Sequence, residues 1–380
     1  MRSIKTNIAL ISDDFFPAKT GVGVHLNQLA SELIERGFNV IVLTSKNKNH
    51  KSEFEIINGV KVYRFRTLTI QGFPQALPTQ SEIKKILLKE KIQIVHHHYT
   101  SFLMIQAFFA ADKLQLPQIS TYHFSVDVIT QPLFMKPFKS LILKKQIQFL
   151  EKMKFLFIPS SKLLDQFKLK YPQINSIHIS NFFKMEDFSE NKSHLKQENF
   201  TILYSGRLAT EKNIQLLIEA FGKLSESKKN VQLWIAGDGP LKKDLLEHAT
   251  RLGVANQVKF WGHLNHSQLS ELYKKADVFV LPSKLETFSL VCLEAMTFGL
   301  PLLLNRQLVS ATEFVSQGKN GFLFDIDNSN ELVQYLTYCY DNQGELNNMR
   351  SVSYDKSKAY NTNSIINKMI DHYRQVQNVV

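Results

Sequence analysis

The chain of 380 residues contains little cysteine. Its two cysteines, Cys292 and Cys339, fit neither a disulfide framework nor a metal-binding spacing. Long apolar runs are also missing, since the longest, residues 102–111, is about half of what spans a membrane. The apolar N-terminal stretch is interrupted by Asp13 and Asp14, which argues against a signal peptide. These absences exclude a disulfide-stapled secreted module and a membrane-spanning protein, and they predict a cytoplasmic one.

Negative charge is scarce in the first half of the chain. Residues 1–200 hold 27 basic and 16 acidic side chains, a net charge of +11, whereas residues 201–380 hold 19 and 18, a net of +1. The surplus predicts an anionic partner for the first half, such as phosphate, a membrane surface or nucleic acid. A lysine-rich surface without a partner is the alternative. Because no nucleic-acid-binding motif accompanies the charge, we expect no nucleic acid as a partner.

Short apolar strands alternate with amphipathic helices through both halves of the chain. "TNIALIS" and "FNVIVLTS" read as buried strands, and the helix between them ends at Gly37. The alternation restarts after a polar stretch, residues 184–200, and the chain is too long for one typical core. The pattern predicts an α/β fold of two Rossmann-like domains that face each other across a cleft. We place them at residues 1–183 and 184–361, with a C-terminal helix, residues 362–380, that packs back on the first domain.

Two strand ends in the second half carry charged residues. "SGRLATEKN" places Arg207 and Lys212 around a turn, from which both can reach one phosphate group. After the strand "VFVLPS", Glu286 lies in a loop, and Glu294 lies on a helix whose first amides favour an anion. An ionised carboxylate only accepts hydrogen bonds, so it suits hydroxyl groups. Phosphate-binding cations beside hydroxyl acceptors indicate a sugar nucleotide as ligand.

The first half contains two weaker motifs. Gly21 and Gly23 allow close approach of a ligand to a helix N-terminus, but the third glycine of a dinucleotide fingerprint is missing, and a tight loop explains the pair equally well. "VHHHY" places His96 and His98 on one face of a strand. No further ligand follows at a usual spacing, so we expect no metal site.

Several segments together resemble a known family. "SGRLATEKN", "IAGDGP", "ETFSLVCLEAMTFGLP" and "GKNGFLF" are similar to motifs of the retaining nucleotide-sugar glycosyltransferases of family 4, which have the two-domain GT-B fold. The resemblance covers nearly the whole chain and is densest from Ser205 to Phe324. It implies that the first domain binds the acceptor and the second the donor. It also implies that no cofactor or essential metal is needed, since cationic side chains neutralise the phosphate charge.

The resemblance implies a role for each matching residue. Arg207 and Lys212 would hold the donor pyrophosphate, Glu286 would contact the transferred sugar, and Glu294 would accept hydroxyls from the ribose. His123, in "TYHF", would line the acceptor side of the reaction centre. The other implied positions are Gly21, Gly206, Ser289 and Leu290 at the donor, and Asp13, Asp14 and His98 on the acceptor side. The chain departs from the family pattern at Thr20 and Ser289, which stand where glycines are usual.

A basic amphipathic segment, Leu133 to Phe157, is typical of a membrane-surface helix. A domain helix with merely solvated lysines is an equally good interpretation. The lysines concerned are Lys136, Lys139, Lys144 and Lys145. With the charge of the first half, this segment favours an acceptor that is a lipid or lipid-linked glycan, and peripheral attachment to the inner face of the cytoplasmic membrane. A soluble or polysaccharide acceptor, or a non-catalytic nucleotide-sugar-binding protein, are the alternatives. By family frequency, the favoured donor is a UDP-hexose.

Overall fold

The protein is described by a computed structural model that covers residues 5–17, 20–46, 52–70, 73–98, 101–123, 139–183, 194–195 and 197–377. The chain divides into two compact units. The N-terminal unit consists of Met1–Phe182 with Asn363–Val380, and the C-terminal unit of Phe183–Thr362. Among the described residues, no helix combines the length and the apolar character needed to cross a membrane.

The N-terminal unit is built on a sheet of eight strands, accompanied by a separate hairpin of β5 and β6. Its strands, in chain order, are β1 (Asn7–Ile11), β2 (Asn39–Ser45), β3 (Phe54–Ile57), β4 (Val60–Phe65), β5 (Thr67–Ile70), β6 (Phe73–Ala76), β7 (Ile94–His97), β8 (Gln118–Thr121), β9 (Phe155–Ile158) and β10 (Ser176–His178). The order across the sheet is β10-β9-β8-β7-β1-β2-β4-β3. The direction of winding changes between β1 and β7, so their carboxyl ends form the place where ligands of open α/β sheets bind.

The edge of this sheet differs from the parallel arrangement that the strand–helix alternation predicts. β3 pairs antiparallel with β4, whereas every other neighbouring pair in the sheet is parallel. The two strands are joined through Asn58 and Gly59, at φ values of 48° and 82°. An Asn-Gly pair in the left-handed region makes the tight turn whose twist suits a hairpin, so no crossover helix is needed here.

The helices of the N-terminal unit bury one face against the sheet. They are α1 (Gly21–Glu35), α2 (Gln80–Lys89), α3 (Phe102–Asp112), α4 (Lys139–Leu150) and α5 (Ser161–Lys170). In α1 the buried apolar positions recur at a helical spacing, as at Leu26, Leu29, Ala30 and Leu33. β1 is apolar and buried along Ile8 to Ile11, as expected for a strand covered by helices on both faces.

The C-terminal unit is built on an all-parallel sheet of six strands. They are β11 (Phe200–Ser205), β12 (Val231–Ala236), β13 (Val258–Gly262), β14 (Val278–Leu281), β15 (Leu302–Asn305) and β16 (Gly321–Phe324). The order across the sheet is β13-β12-β11-β14-β15-β16, so the winding changes between β11 and β14. Both of these central strands are buried along their whole length. The loops that follow them therefore start from fixed positions.

Helices cover this second sheet, and the last helix of the chain returns to the first unit. The helices are α6 (Ile214–Ser227), α7 (Lys242–Arg251), α8 (His266–Lys275), α9 (Leu290–Thr297), α10 (Ala311–Phe314), α11 (Ser329–Asp341), α12 (Gln343–Ser357) and α13 (Thr362–Gln377). From Asn363 onward, α13 belongs to the N-terminal unit. Its Tyr373 is fully buried there, with the hydroxyl 2.7 Å from Nδ1 of His96 in β7.

Candidate active site

Two loops meet where the winding of the C-terminal sheet changes. The loop after β11 carries Arg207 and Lys212, and the loop after β14 carries Glu286. Nζ of Lys212 lies 2.5 Å from Oε1 of Glu286, and the two side chains are only 20% and 14% exposed. The backbones are tied as well, since the amide of Lys284 donates to the carbonyl of Glu211 at 2.8 Å. The fold thus joins residues of two motifs that lie 74 positions apart.

The backbone around Arg207 is held by close packing. The hydroxyl of Tyr204 donates to the carbonyl of Arg207 at 3.0 Å. Gly206 has a φ of 149°, and a Cβ on it would lie 2.9 Å from that hydroxyl. A Cβ on Gly237 would lie 1.9 Å from the carbonyl oxygen of Gly206. Only glycine fits at both positions, so this loop has little freedom to move the half-buried Arg207.

Glu294 lies on α9 and is 6% exposed. Its Oε2 accepts a hydrogen bond from the hydroxyl of Tyr273, on α8, at 2.9 Å. Burial raises the pKa of Glu294 to about 7, against the opposing effect of this hydrogen bond. The carboxyl therefore keeps its proton to a higher pH than an exposed glutamate does, which refines the sequence-based picture of an ionised acceptor. Tyr273 was not predicted, because one tyrosine in an ordinary amphipathic helix gives no signal.

The start of α9 explains how the chain tolerates serine at position 289. Ser289 is the N-cap of α9, at φ −93° and ψ 106°, a backbone conformation that does not require glycine. Its side chain makes no capping hydrogen bond to the helix. Leu290 is the first helical residue. The amides of the first turn thus keep the partial positive charge that favours an anion.

In the N-terminal unit, the predicted residues follow the ends of β1, β7 and β8. Asp13 and Asp14 come after β1 and are buried. Oδ1 of Asp13 accepts from the hydroxyl of Ser45 and from the amide of Ala76, both at 2.6 Å, while burial raises the pKa of this carboxyl. Asp13 therefore joins three segments of the unit to one another. This use is structural and was not expected for an acceptor-side residue.

Gly21 begins α1, and among the described residues outside its own turn no atom lies within 4 Å of the place where its Cβ would be. The packing of these residues therefore does not require glycine there. The hydroxyl of Thr20 accepts from the amide of Gly23 at 3.0 Å and caps the helix. Threonine is a better N-cap than most residues and about equal to glycine, so the departure from the family pattern keeps this helix start intact.

Three histidines lie together in this unit. Nδ1 of His98 is 3.2 Å from Nε2 of His123, and the ring of His25, on α1, is centred 5.4 Å from that of His123. Burial lowers the pKa of all three, to about 4 for His25, so they are neutral at pH 7. His96 differs from these three in its hydrogen bonding, because both of its ring nitrogens are bonded, one to Tyr373 and one to Thr121. Sequence reasoning missed His25, whose helical position gave no sign of the other two.

Part of the basic segment forms an exposed surface on α4. Three of the four predicted lysines are exposed there, namely Lys139, Lys144 and Lys145. Lys136 lies outside the described residues. Leu141 is 56% exposed on the same helix, and Phe109 of α3 is 42% exposed with its ring 6.0 Å from that of Phe149. The surface therefore combines positive charge with apolar side chains.

Two family models match the sequence, one in each half. Residues 19–181 match Glycosyltransferase Family 4, and residues 185–356 match Glycosyl transferases group 1. The chain belongs to the group 1/family 4 glycosyltransferases. The predicted family is confirmed, and so is the predicted activity as a glycosyltransferase.

Curated relatives match over most of the chain. Alpha-monoglucosyldiacylglycerol synthase of Streptococcus pneumoniae is 29% identical over 318 residues, which are 78% of this chain and 70% of that protein. The protein of the same name from Acholeplasma laidlawii is 27% identical over 378 residues, 93% of each chain.

Solved structures of similar fold cover the whole chain. Sucrose-phosphate synthase from Thermosynechococcus elongatus has a TM-score of 0.81 at 19% identity and covers 99% of this chain and 100% of its own. HepE from Anabaena, in complex with UDP and glucose, has a TM-score of 0.77 at 18% identity and covers 97% and 100%. At these identities the likeness shows the fold alone, and it confirms the predicted GT-B type.

Proposed function

We propose that this protein is a retaining hexosyltransferase that moves a hexose from a nucleotide sugar, with UDP as the favoured nucleotide, to a hydroxyl of a membrane lipid or lipid-linked glycan. The observation that carries the proposal is the ion pair between Lys212 and Glu286 at the carboxyl edge of the C-terminal sheet. It puts a phosphate-binding cation and a hydroxyl-binding carboxylate side by side. In the donor, the phosphate and the hydroxyl groups that these two residues would bind are also adjacent, since the second phosphate is bonded to the sugar.

On the donor side, Lys212 and Arg207 neutralise the charge that builds on the pyrophosphate as the sugar leaves. Fixed cations and helix-end amides act without reorganising at the moment of reaction, which is how preorganised sites lower a barrier. Glu286 orients the sugar through its hydroxyls. Glu294, held by Tyr273 at 2.9 Å, receives the ribose hydroxyls. Since cationic side chains carry the phosphate charge, the transfer step needs no essential metal.

The acceptor side is assigned to the N-terminal unit. His123 is 9% exposed and neutral, so its ring can accept a proton or a hydrogen bond from a hydroxyl group. The acceptor hydroxyl attacks from the face that the leaving phosphate occupied, and we assign no nucleophilic carboxylate. Retention also fits the curated relatives, which are named for an alpha-linked glucosyl lipid, because UDP-glucose itself is alpha-linked.

The choice of a lipid acceptor and a UDP-hexose donor is supported by other proteins and by the charge of this one. Both curated relatives are named for a glucosylated diacylglycerol, and HepE was crystallised with UDP and glucose. The exposed lysines of α4, beside Leu141 and Phe109, suit the anionic cytoplasmic face of a membrane. We therefore infer peripheral association of the N-terminal unit with that face.

The proposal is tested with radiolabelled UDP-glucose and vesicles of anionic phospholipid that contain diacylglycerol, with GDP- and ADP-glucose as competing donors. We expect transfer of label to lipid, with an alpha linkage by NMR and no loss of rate in a chelator. Lys212→Ala and Glu286→Ala should each lower turnover by about 100-fold or more while the protein stays folded.

A matched control is available in the same unit. Lys228 and Asp341 form a second Lys–carboxylate pair at 2.5 Å, away from the loops that follow β11 and β14. Lys228→Ala should therefore keep the wild-type rate. A near-normal rate in Lys212→Ala or Glu286→Ala would contradict the assignment of the site. A beta-linked product would contradict retention alone, and label transferred only to a soluble acceptor would contradict the lipid assignment alone.

A further inference from the structure

We propose that His25, His98 and His123 form a binding site for a divalent transition-metal ion such as Zn²⁺, in the N-terminal unit. One nitrogen from each of the three rings lies within 4.8 Å of the other two. All three side chains are buried, at 1%, 0% and 9% exposure. The residues come from three separate elements, since His25 lies on α1 and the others follow β7 and β8.

The spacing of the rings fits one ion. Three imidazoles that bind zinc at about 2.1 Å in tetrahedral geometry have ring centres ~5 Å apart and ligand nitrogens ~3.4 Å apart. Here the ring centres are 5.4 Å apart for His25 and His123, 5.5 Å for His98 and His123, and 6.2 Å for His25 and His98. The nitrogens of His98 and His123 are 3.2 Å apart. The three ligand nitrogens lie within 4.8 Å of one another, so binding would draw the rings together by up to about 1.4 Å to reach the spacing of a zinc site.

The hydrogen bonding of these rings also points to a ligand. Among the described residues, neither nitrogen of His25 has a hydrogen-bond partner, and Nε2 of His98 has none either, although all three atoms are buried. A buried polar atom left without a partner costs about 1–3 kcal/mol. An ion takes only one nitrogen from each ring, so it would give a partner to one atom of His25 and, where His98 binds through Nε2, to that atom as well. His96, 3.9 Å from His98 between ring centres, shows the contrast, because both of its nitrogens are bonded to protein.

The chemistry of the group suits a transition metal better than a hard cation. Imidazole nitrogen is a preferred ligand of Zn²⁺, whereas Mg²⁺ and Ca²⁺ take oxygen. Metal ions bind the neutral ring, and burial keeps all three rings neutral at pH 7. Three protein ligands leave a fourth position for water or a hydroxyl group. The site lies in the N-terminal unit, whereas the proposed phosphate-binding residues lie in the C-terminal unit, so the ion is proposed as an addition to a transfer step that does not require it.

The test is titration of Co²⁺ into untagged, chelator-stripped full-length protein, followed by displacement with Zn²⁺. Tetrahedral Co²⁺ absorbs visible light strongly, so the spectrum reports the coordination directly and does not depend on transferase activity. We expect saturation at one ion per chain. His25→Gln, His98→Gln and His123→Gln should each weaken Co²⁺ binding. Loss of a residue that only hydrogen-bonds to a metal ligand costs ~10–100-fold in metal affinity, so loss of a ligand should cost at least as much.

His97→Gln is the matched control. His97 is buried on the same strand but points to the opposite sheet face, where it bonds Gln118 at 2.8 Å. The affinity of the His97→Gln protein for Co²⁺ should stay within about two-fold of wild type, since no ligand is lost. Absence of a saturable Co²⁺ spectrum, or one that survives all three substitutions, would overturn the proposal.

A second measurement keeps the test valid if a variant does not fold. In wild-type protein labelled with ¹⁵N-histidine, Zn²⁺ should shift three of the twelve histidine signals together. Shifts of exposed histidines only, or of none, would also overturn it.

Discussion

Replacing Glu294 by glutamine tests whether burial controls the protonation of this carboxyl. Glu294 is buried on α9, and its pKa is raised to about 7 from an ordinary value of 4.5. The folded protein therefore holds a proton on this group over a pH range where the unfolded chain has lost it. This linkage stabilises the fold fully below pH 4.5, and the stabilisation is lost as the pH rises through 7. Glutamine keeps an oxygen for Tyr273 but carries no titrating proton.

The size of the effect follows from the two pKa values. A difference of one pKa unit corresponds to about 1.4 kcal/mol, so a shift from 4.5 to about 7 is worth on the order of 3 kcal/mol in total. Between pH 5 and pH 8.5, the free energy of unfolding of Glu294→Gln should rise relative to wild type by roughly 2–3 kcal/mol. Other groups titrate over this range too, but they do so in both proteins and cancel in the difference.

The assay can be confined to the unit that contains Glu294. Both tryptophans of the chain, Trp234 and Trp261, lie in the C-terminal unit. Urea unfolding followed by tryptophan fluorescence at pH 5, 6, 7 and 8.5 therefore reports this unit, whatever the N-terminal unit does. Glu226→Gln, on an exposed position of α6, is the control for removing a carboxylate from this unit.

An equal difference in the free energy of unfolding between Glu294→Gln and wild type at pH 5 and at pH 8.5 would contradict the raised pKa of Glu294. That result would mean that the carboxyl is ionised in the folded protein throughout this range. The buried position would then be stabilised by contacts other than the bond from Tyr273. If the free energy of unfolding of Glu294→Gln instead falls relative to wild type between pH 5 and pH 8.5, the folded protein prefers the charged carboxylate.

Two further predictions concern the glycine packing and the basic surface. Gly237→Ala should lower the free energy of unfolding, measured with urea, by roughly 3 kcal/mol or more, since its Cβ would lie 1.9 Å from a carbonyl oxygen. Gly344→Ala is the control. This position on α12 lies in open space, so the substitution should be neutral or slightly stabilising. Lys144→Glu with Lys145→Glu should weaken flotation with anionic vesicles by at least about 30-fold, at ~1 kcal/mol per lysine. Equal, negligible flotation of wild type with anionic and neutral vesicles would contradict the membrane proposal.

Much of the architecture and of the proposed donor site could be predicted from the sequence because their signals are local. Buried parallel strands are continuous apolar runs, and helices repeat at a helical spacing, so the two Rossmann-like domains could be read directly. The Arg/Lys turn and the paired glutamates are each compact in the chain. Lys212 and Glu286 end up 2.5 Å apart because the ends of neighbouring parallel strands meet at one edge of a sheet.

Other features depend on which elements pack together, and the chain order does not contain that information. Tyr273 reaches Glu294 only because α8 packs beside α9, and this contact with burial sets the protonation of the carboxyl. The hairpin turn at Asn58 and Gly59 is different, because an Asn-Gly pair is a local sequence signal for such a turn. The hairpin could therefore have been predicted from the sequence, although it was not.

The sequence by itself determined the fold class and the family, and it predicted the residues proposed to bind the donor, because repeated patterns and short motifs suffice for these. Only the tertiary structure decided that Asp13 joins segments of the protein and that His25 stands beside His98 and His123. The physical reason is that burial and hydrogen bonding act between elements far apart in the chain. Those neighbours decide whether a polar side chain has a hydrogen-bond partner, whether it is neutral and whether it can bind a ligand.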